Sequence, residues 1–238
     1  ITTAILRSLG RPRKYDGARD LRWTVRAAPA EWSAPMPHHA DKHLTKSDPV
    51  MRRLIRAHGP FVLKPDARCP PFKSLVSAVA HQQLNGTAAN TILRRFIALF
   101  PGRRFPRPDD LASVTDLQIR RAGFSRAKVA AIRDIAAKTL NGVVPSTRRI
   151  VSMGDEEIVE RLTEVRGVGR WTVEMLLIFK LGRPDVLPAD DFGVKNGFRI
   201  AYSLKELPAK KVLLEHGERW RPYRSAASWY LWRAADNA

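Results

Sequence analysis

An all-α fold of about ten helices is predicted from three observations. Apolar residues recur at helical spacing along most of the chain, as in Ile158, Leu162 and Val165 at i, i+4 and i+7. Turn-forming residues such as Gly123, Asn141-Gly142 and Gly154 fall between these runs, and no segment shows β alternation of useful length. With 238 residues, 44% of them hydrophobic, the chain can bury a substantial core as one domain or two small ones.

The elements follow in order. Residues 1–42 scatter Arg7, Arg11, Arg13, Lys14, Arg19, Arg22 and Arg26 among Gly, Ala and Pro with no apolar period. They read as a basic, flexible arm in front of a core of residues 43–238. Two roles stay open for the arm: a terminus without function and an electrostatic extension onto a polyanion. Trp23 and Trp32, uncommon in a disordered tail, suggest docking on the body. Ser47-Asp48-Pro49 is a helix start, with Val50, Leu54 and Ile55 on one face. Phe72, Leu75, Val76, Val79 and Ala80 mark a buried helix that ends in the polar His81-Gln82-Gln83. Helices are then expected over 88–100, 110–122, 125–140, 155–165, 171–181, 191–200, 208–220 and 225–235. Ser125 is an N-cap ahead of Arg126 and Lys128, whose charges suit either a phosphate or a solvated face.

The 42 Lys and Arg against 23 Asp and Glu give a formal charge of +19, which points to a polyanionic partner. Cys69 is the single cysteine, so neither a disulfide within the chain nor a four-cysteine metal or iron–sulfur site can form. His81 and the pair His38-His39 lack further ligands at useful spacing, which argues against zinc. No apolar run approaches the roughly twenty residues needed to span a bilayer. A soluble intracellular protein is expected, in a bacterial cytoplasm or with the nucleoid.

The helix ending at Val165 is followed by Gly167-Val168-Gly169 and then by the apolar run from Trp171. This forms a hairpin with unshielded backbone N–H groups at a helix N-terminus, a ready phosphate site. Asp191 follows a proline-containing loop and opens a short helix, where it can serve as an N-cap or as an anion held at the positive end of the dipole. Three blocks in order, Leu162 to Thr172, Leu187-Pro188-Ala189-Asp190-Asp191 and Glu218 to Ser225, resemble the helix-hairpin-helix DNA glycosylases, within them the 3-methyladenine DNA glycosylase II branch. The likeness spans about four fifths of the chain.

The resemblance implies a two-lobed helical fold whose cleft holds Asp191 as the catalytic carboxylate, with Asp190 as supporting neighbour. Trp171, Met175 and Trp232 would wall the pocket for a flipped, alkylated base. Gly167, Val168, Gly169 and Arg170 would bind DNA, and Gln83, or next Leu84, would fill the gap left by the extruded nucleotide. The carbonyls of Thr163, Val165 and Val168 would hold a monovalent cation; no other cofactor is implied. Bifunctional members carry a lysine where Trp171 stands, so a monofunctional hydrolase is implied, acting as a monomer on damaged duplex DNA without a membrane. Its rivals are a non-enzymatic DNA-binding module with the same hairpin and a bifunctional glycosylase/lyase.

Overall fold

The computed structural model describes residues 37–66, 68–84 and 86–236, which form twelve α-helices, two short 3-10 turns and no strand. In order these are α1 Pro37–Ser47, α2 Pro49–His58, α3 Pro71–His81, α4 Gly86–Ala98, α5 Asp116–Arg121, α6 Arg126–Leu140, α7 Thr147–Ile150, α8 Asp155–Thr163, α9 Arg170–Phe179, α10 Phe192–Ala201, α11 Lys210–Gly217 and α12 Arg224–Asp236.

Short polar side chains start the helices. Asp48 caps α2 ahead of Pro49, Ser125 caps α6, Ser146 caps α7 and Asp191 caps α10. Thr115 and Gln118 close a reciprocal capping box at α5. That box is why the single helix expected over 110–122 is broken: a 3-10 turn at Asp109–Ser113 ends at Val114, and α5 starts anew.

The helices make two lobes. Helices α1 and α2 pack on each other and on α12, and α12 runs along α10. Helix α3 packs on α4, α6 and α9, while α8 packs on α9. Phe96, with Phe100, Phe105 and Phe124 in edge-on contact, fills the centre of this middle lobe. Trp220 and Trp229 are buried core aromatics.

The boundary expected between residues 42 and 43 falls inside α1. Ala40 and Leu44 are buried, and Asp41 accepts hydrogen bonds from the Tyr230 hydroxyl and the Phe61 N–H. The core therefore includes residues from 37 onward; the rest of the arm, with Trp23 and Trp32, lies outside the described residues.

One glycine fixes how the C-terminal helices meet. A Cβ on Gly197 of α10 would stand 1.9 Å from the Leu231 carbonyl oxygen of α12, so only a bare Cα permits this backbone-to-backbone approach. It sets the N-terminus of α10, and with it Asp191, against α12.

Candidate active site

The hairpin between α8 and α9 is braced from two sides. Gly167 turns the chain at φ +77°, and Val168 is buried beneath the turn, its N–H bonded to the Val165 carbonyl at 3.0 Å. From α6, Asp134 accepts the Arg166 N–H at 2.7 Å and the Lys138 ammonium takes the Glu164 carbonyl. From the turn after α3, the Gln82 amide donates to the Gly167 carbonyl at 2.9 Å. Gly169 caps α9 without a side chain, and a Cβ there would meet nothing within 4 Å. The first N–H groups of α9 thus open outward, where an anion can approach.

Arg170, expected to contact DNA, instead forms a two-pronged pair with Glu156 of α8, at 3.1 and 2.7 Å. Its guanidinium ties α9 to α8. Asp190 is exposed and pairs with Lys210 of α11 at 2.5 Å, so it supports the loop that carries Asp191 rather than touching that carboxylate. Behind this pair, burial pushes the Glu174 carboxyl up to about 7; Arg170 and Lys210 oppose that rise, and Asp190 and Glu156 reinforce it.

Asp191 is 3% exposed and held by three N–H groups. Its Oδ1 accepts from the Val194 N–H and from Trp232 Nε1, both at 2.8 Å, and its Oδ2 accepts from Trp171 Nε1 at 2.7 Å. Three rigid donors from α9, α10 and α12 leave the carboxylate one orientation.

Trp171 is also a wall of a cavity of about 570 Å³. One face of α3 (Ser74, Leu75, Ser77, Ala78, His81) opposes one face of α9 (Trp171, Thr172, Met175, Leu176, Phe179), with the start of α6 at the side. These helices all belong to the middle lobe, so the cavity lies within that lobe, and Asp191 stands behind Trp171 at the junction with the other. Trp171 and Met175 occupy the expected wall. Trp232 does not: it is 1% exposed, stacked on Phe179 at 5.5 Å, and its indole nitrogen is committed to Asp191. Its place in the site is as a positioner of the carboxylate.

The turn after α3 projects Gln83, which is exposed and held at φ +55°. Leu84 is half-buried. A left-handed conformation is uncommon for a residue with a side chain. Lys128 holds this turn: its ammonium donates to the carbonyls of Ala80 at 3.0 Å and Gln82 at 2.8 Å, neutralising the C-terminal end of α3. Lys128 is therefore a clamp, neither a phosphate ligand nor a solvated charge.

The profile of the HhH-GPD superfamily of base excision DNA repair proteins matches residues 76–222, a span that begins in α3 and includes the hairpin and Asp191. The chain belongs to this superfamily. It is 40% identical over 203 residues to DNA-3-methyladenine glycosylase 1 of Schizosaccharomyces pombe, covering 84% of this chain and 88% of that protein. The solved structure of a 3-methyladenine DNA glycosylase of the same yeast in complex with abasic DNA superposes with a TM-score of 0.73 at 39% identity, over 82% of this chain and 95% of that one. A DNA-3-methyladenine glycosidase from Bacillus halodurans gives a TM-score of 0.74 at 35% identity, over 82% and 88%.

Within this HhH-GPD chain the structure brings together the hairpin, Trp171 and Asp191, and adds residues that spacing did not reveal. Gln82 and Lys128 act through backbone carbonyls from distant helices, which no local pattern announces. Phe192, next to Asp191, is 67% exposed, an unusual setting for a phenylalanine beside a buried carboxylate. Gly197 had a legible signal, a glycine in the middle of a helix between apolar residues.

Proposed function

We propose that the chain is a monofunctional DNA glycosylase that turns an alkylated base out of duplex DNA and hydrolyses its N-glycosidic bond. The observation that carries this reading is the Asp191 carboxylate, held by three N–H donors against an indole that also walls a cavity with room for a base. A binding module without chemistry has no use for that arrangement.

The parts divide the work. Backbone N–H groups at the hairpin hold a phosphate and set register, carrying no sequence information. Gln83, exposed on its left-handed turn, fills the gap in the stack. The base enters between α3 and α9 and stacks on Trp171; an alkylated, cationic ring gains roughly 0.5–2 kcal/mol from a well-placed indole face. As the bond to the sugar lengthens, positive charge develops at the anomeric carbon. Asp191, whose Oδ2 accepts from the indole of the cavity-wall Trp171, stabilises that charge. Water then adds to the sugar, and an abasic site remains.

This reading includes a monovalent cation at the hairpin. Thr163 is the last residue of α8 and Val165 and Val168 follow it in the turn, and their carbonyls would hold the ion near the negative end of that helix. Such a cation would offset charge between these carbonyls and the DNA phosphate. The protein works as a monomer with cellular DNA, in a bacterial cytoplasm or nucleoid. Among the described residues, no helix is long and apolar enough to cross a membrane.

Incubation with methylated duplex DNA tests the reading: free alkylated bases are expected, together with alkali-labile sites. Strand breaks are not expected, nor an adduct trapped by borohydride. Of the two cavity-lining lysines, Lys128 is committed to two carbonyls and Lys180 pairs with Asp66 at 3.8 Å, and an indole stands at position 171. A trapped adduct would move the assignment to a glycosylase/lyase.

A further inference from the structure

The geometry points to His81 as a residue that reads the edge of the base and discriminates adenine-type from guanine-type rings. This rests on the glycosylase reading above and names the substrate class of the same cavity.

His81 ends the cavity-facing stripe of α3, and Trp171 begins the facing stripe of α9. The Gln82–Gly167 hydrogen bond ties the end of α3 to the turn before α9, so His81 and Trp171 stand at the same end of the cavity, beside the hairpin. A base stacked on Trp171 therefore brings its edge to the end where His81 lies.

The imidazole is oriented before any base arrives. His81 Nδ1 is 2.8 Å from the Ser77 carbonyl oxygen. A carbonyl oxygen only accepts, so Nδ1 must carry the proton. In the neutral ring Nε2 is then an acceptor. Nε2 has no hydrogen-bond partner among the described residues, while the ring lines the cavity. The backbone under it is fixed as well, since Lys128 holds the Ala80 and Gln82 carbonyls on either side.

A fixed acceptor distinguishes purines at C6. An adenine ring presents an exocyclic amine there and can donate to Nε2. A guanine ring presents a carbonyl oxygen, which sets lone pair against lone pair. Sites built around one hydrogen-bonding polarity reject the opposite one more strongly than apolar walls reject a shape.

The test uses one substrate pool, duplex DNA treated with a methylating agent so that 3-methyladenine and 7-methylguanine are both present, with released bases separated chromatographically. In His81→Ala the initial rate for 3-methyladenine is expected to fall about tenfold, equivalent to 1.4 kcal/mol, while that for 7-methylguanine changes less than threefold. His81→Gln, which can again present an acceptor, should recover part of the 3-methyladenine rate. Binding to an abasic-site analogue, measured alongside, should stay within threefold in both variants. Equal loss of both bases, or no change in their ratio, overturns the proposal. A wild-type protein that releases neither base overturns the glycosylase reading instead, and that arm is read without any variant.

Discussion

Asp48 and Asp191 are the same device used twice. Each caps a helix, each is almost fully buried, at 1% and 3% exposure, and each accepts from an indole N–H. Asp48 Oδ1 takes the Val50 N–H at 2.9 Å, and Oδ2 takes the Tyr202 hydroxyl, Trp220 Nε1 and His216 Nε2 at 2.5, 2.9 and 3.0 Å. Burial works against the Asp48 anion, but these hydrogen bonds outweigh it and hold the carboxyl well below the usual carboxylate range. The difference lies behind the indoles. Trp220 is fully buried and belongs to a packed aromatic cluster with Phe198 and His216. Trp171 has a cavity behind it. A capped, indole-bound aspartate is thus a structural joint or a poised charge according to what its partner faces.

The largest expected effect removes the scaffold that one aspartate needs. Gly197→Ala would force α10 off α12 and separate Val194 and Asp191 from Trp232. A loss of about 2–4 kcal/mol in denaturant unfolding and nearly all base release is expected. Full activity there would show that the α10–α12 approach does not position the carboxylate.

Asp48→Ala comes next, with about 3 kcal/mol lost, because it leaves buried donors unpaired. Base release per folded molecule should stay within a few fold. The sign with pH follows from the depressed carboxyl. Asp48's contribution is complete above the ordinary range near 4 and is lost as pH falls below it, so the variant should unfold less steeply in acid than the wild type.

Trp171→Phe and Trp232→Phe keep aromatic bulk and remove one N–H each from Asp191. A fall of about 10–100-fold in single-turnover release is expected for each, with abasic-site binding unchanged within threefold. Trp232→Phe is the sharper case, since its ring is not a wall of the cavity. Equal losses in release and binding would mark both as packing residues.

Glu174→Gln should have the smallest effect, one that builds as pH rises from the ordinary carboxylate range to about 7 and then stays level. Its folded carboxyl is raised to about 7, so the native state loses stability as pH rises from the ordinary value through 7. The amide should gain roughly 1–3 kcal/mol at pH 9 and nothing below pH 4, read as melting temperature against pH.

Helices with strong apolar periods, the hairpin and Asp191 were legible in the sequence because their signals are local. Helix α1 was not. Its sequence offers few apolar residues, and it is held by Asp41 on Tyr230 and His43 on the Arg219 carbonyl, partners more than 170 residues away. Four-residue α7 is too short to show a period. The pairing of Arg170 with Glu156, fourteen residues earlier, was likewise not legible, because no local spacing announces it. Trp232, expected in the pocket wall, lies outside the cavity lining with its N–H on Asp191, since spacing does not say which way an indole N–H points.

The most direct test of the central claim is single-turnover base release by Asp191→Asn, with affinity for an abasic-site duplex measured on the same preparation. Asparagine keeps the N-cap and the shape but removes the charge. The account predicts release reduced at least 10³-fold, about 4 kcal/mol of transition-state stabilisation, with abasic-site affinity within threefold. Release within tenfold of wild type would contradict it.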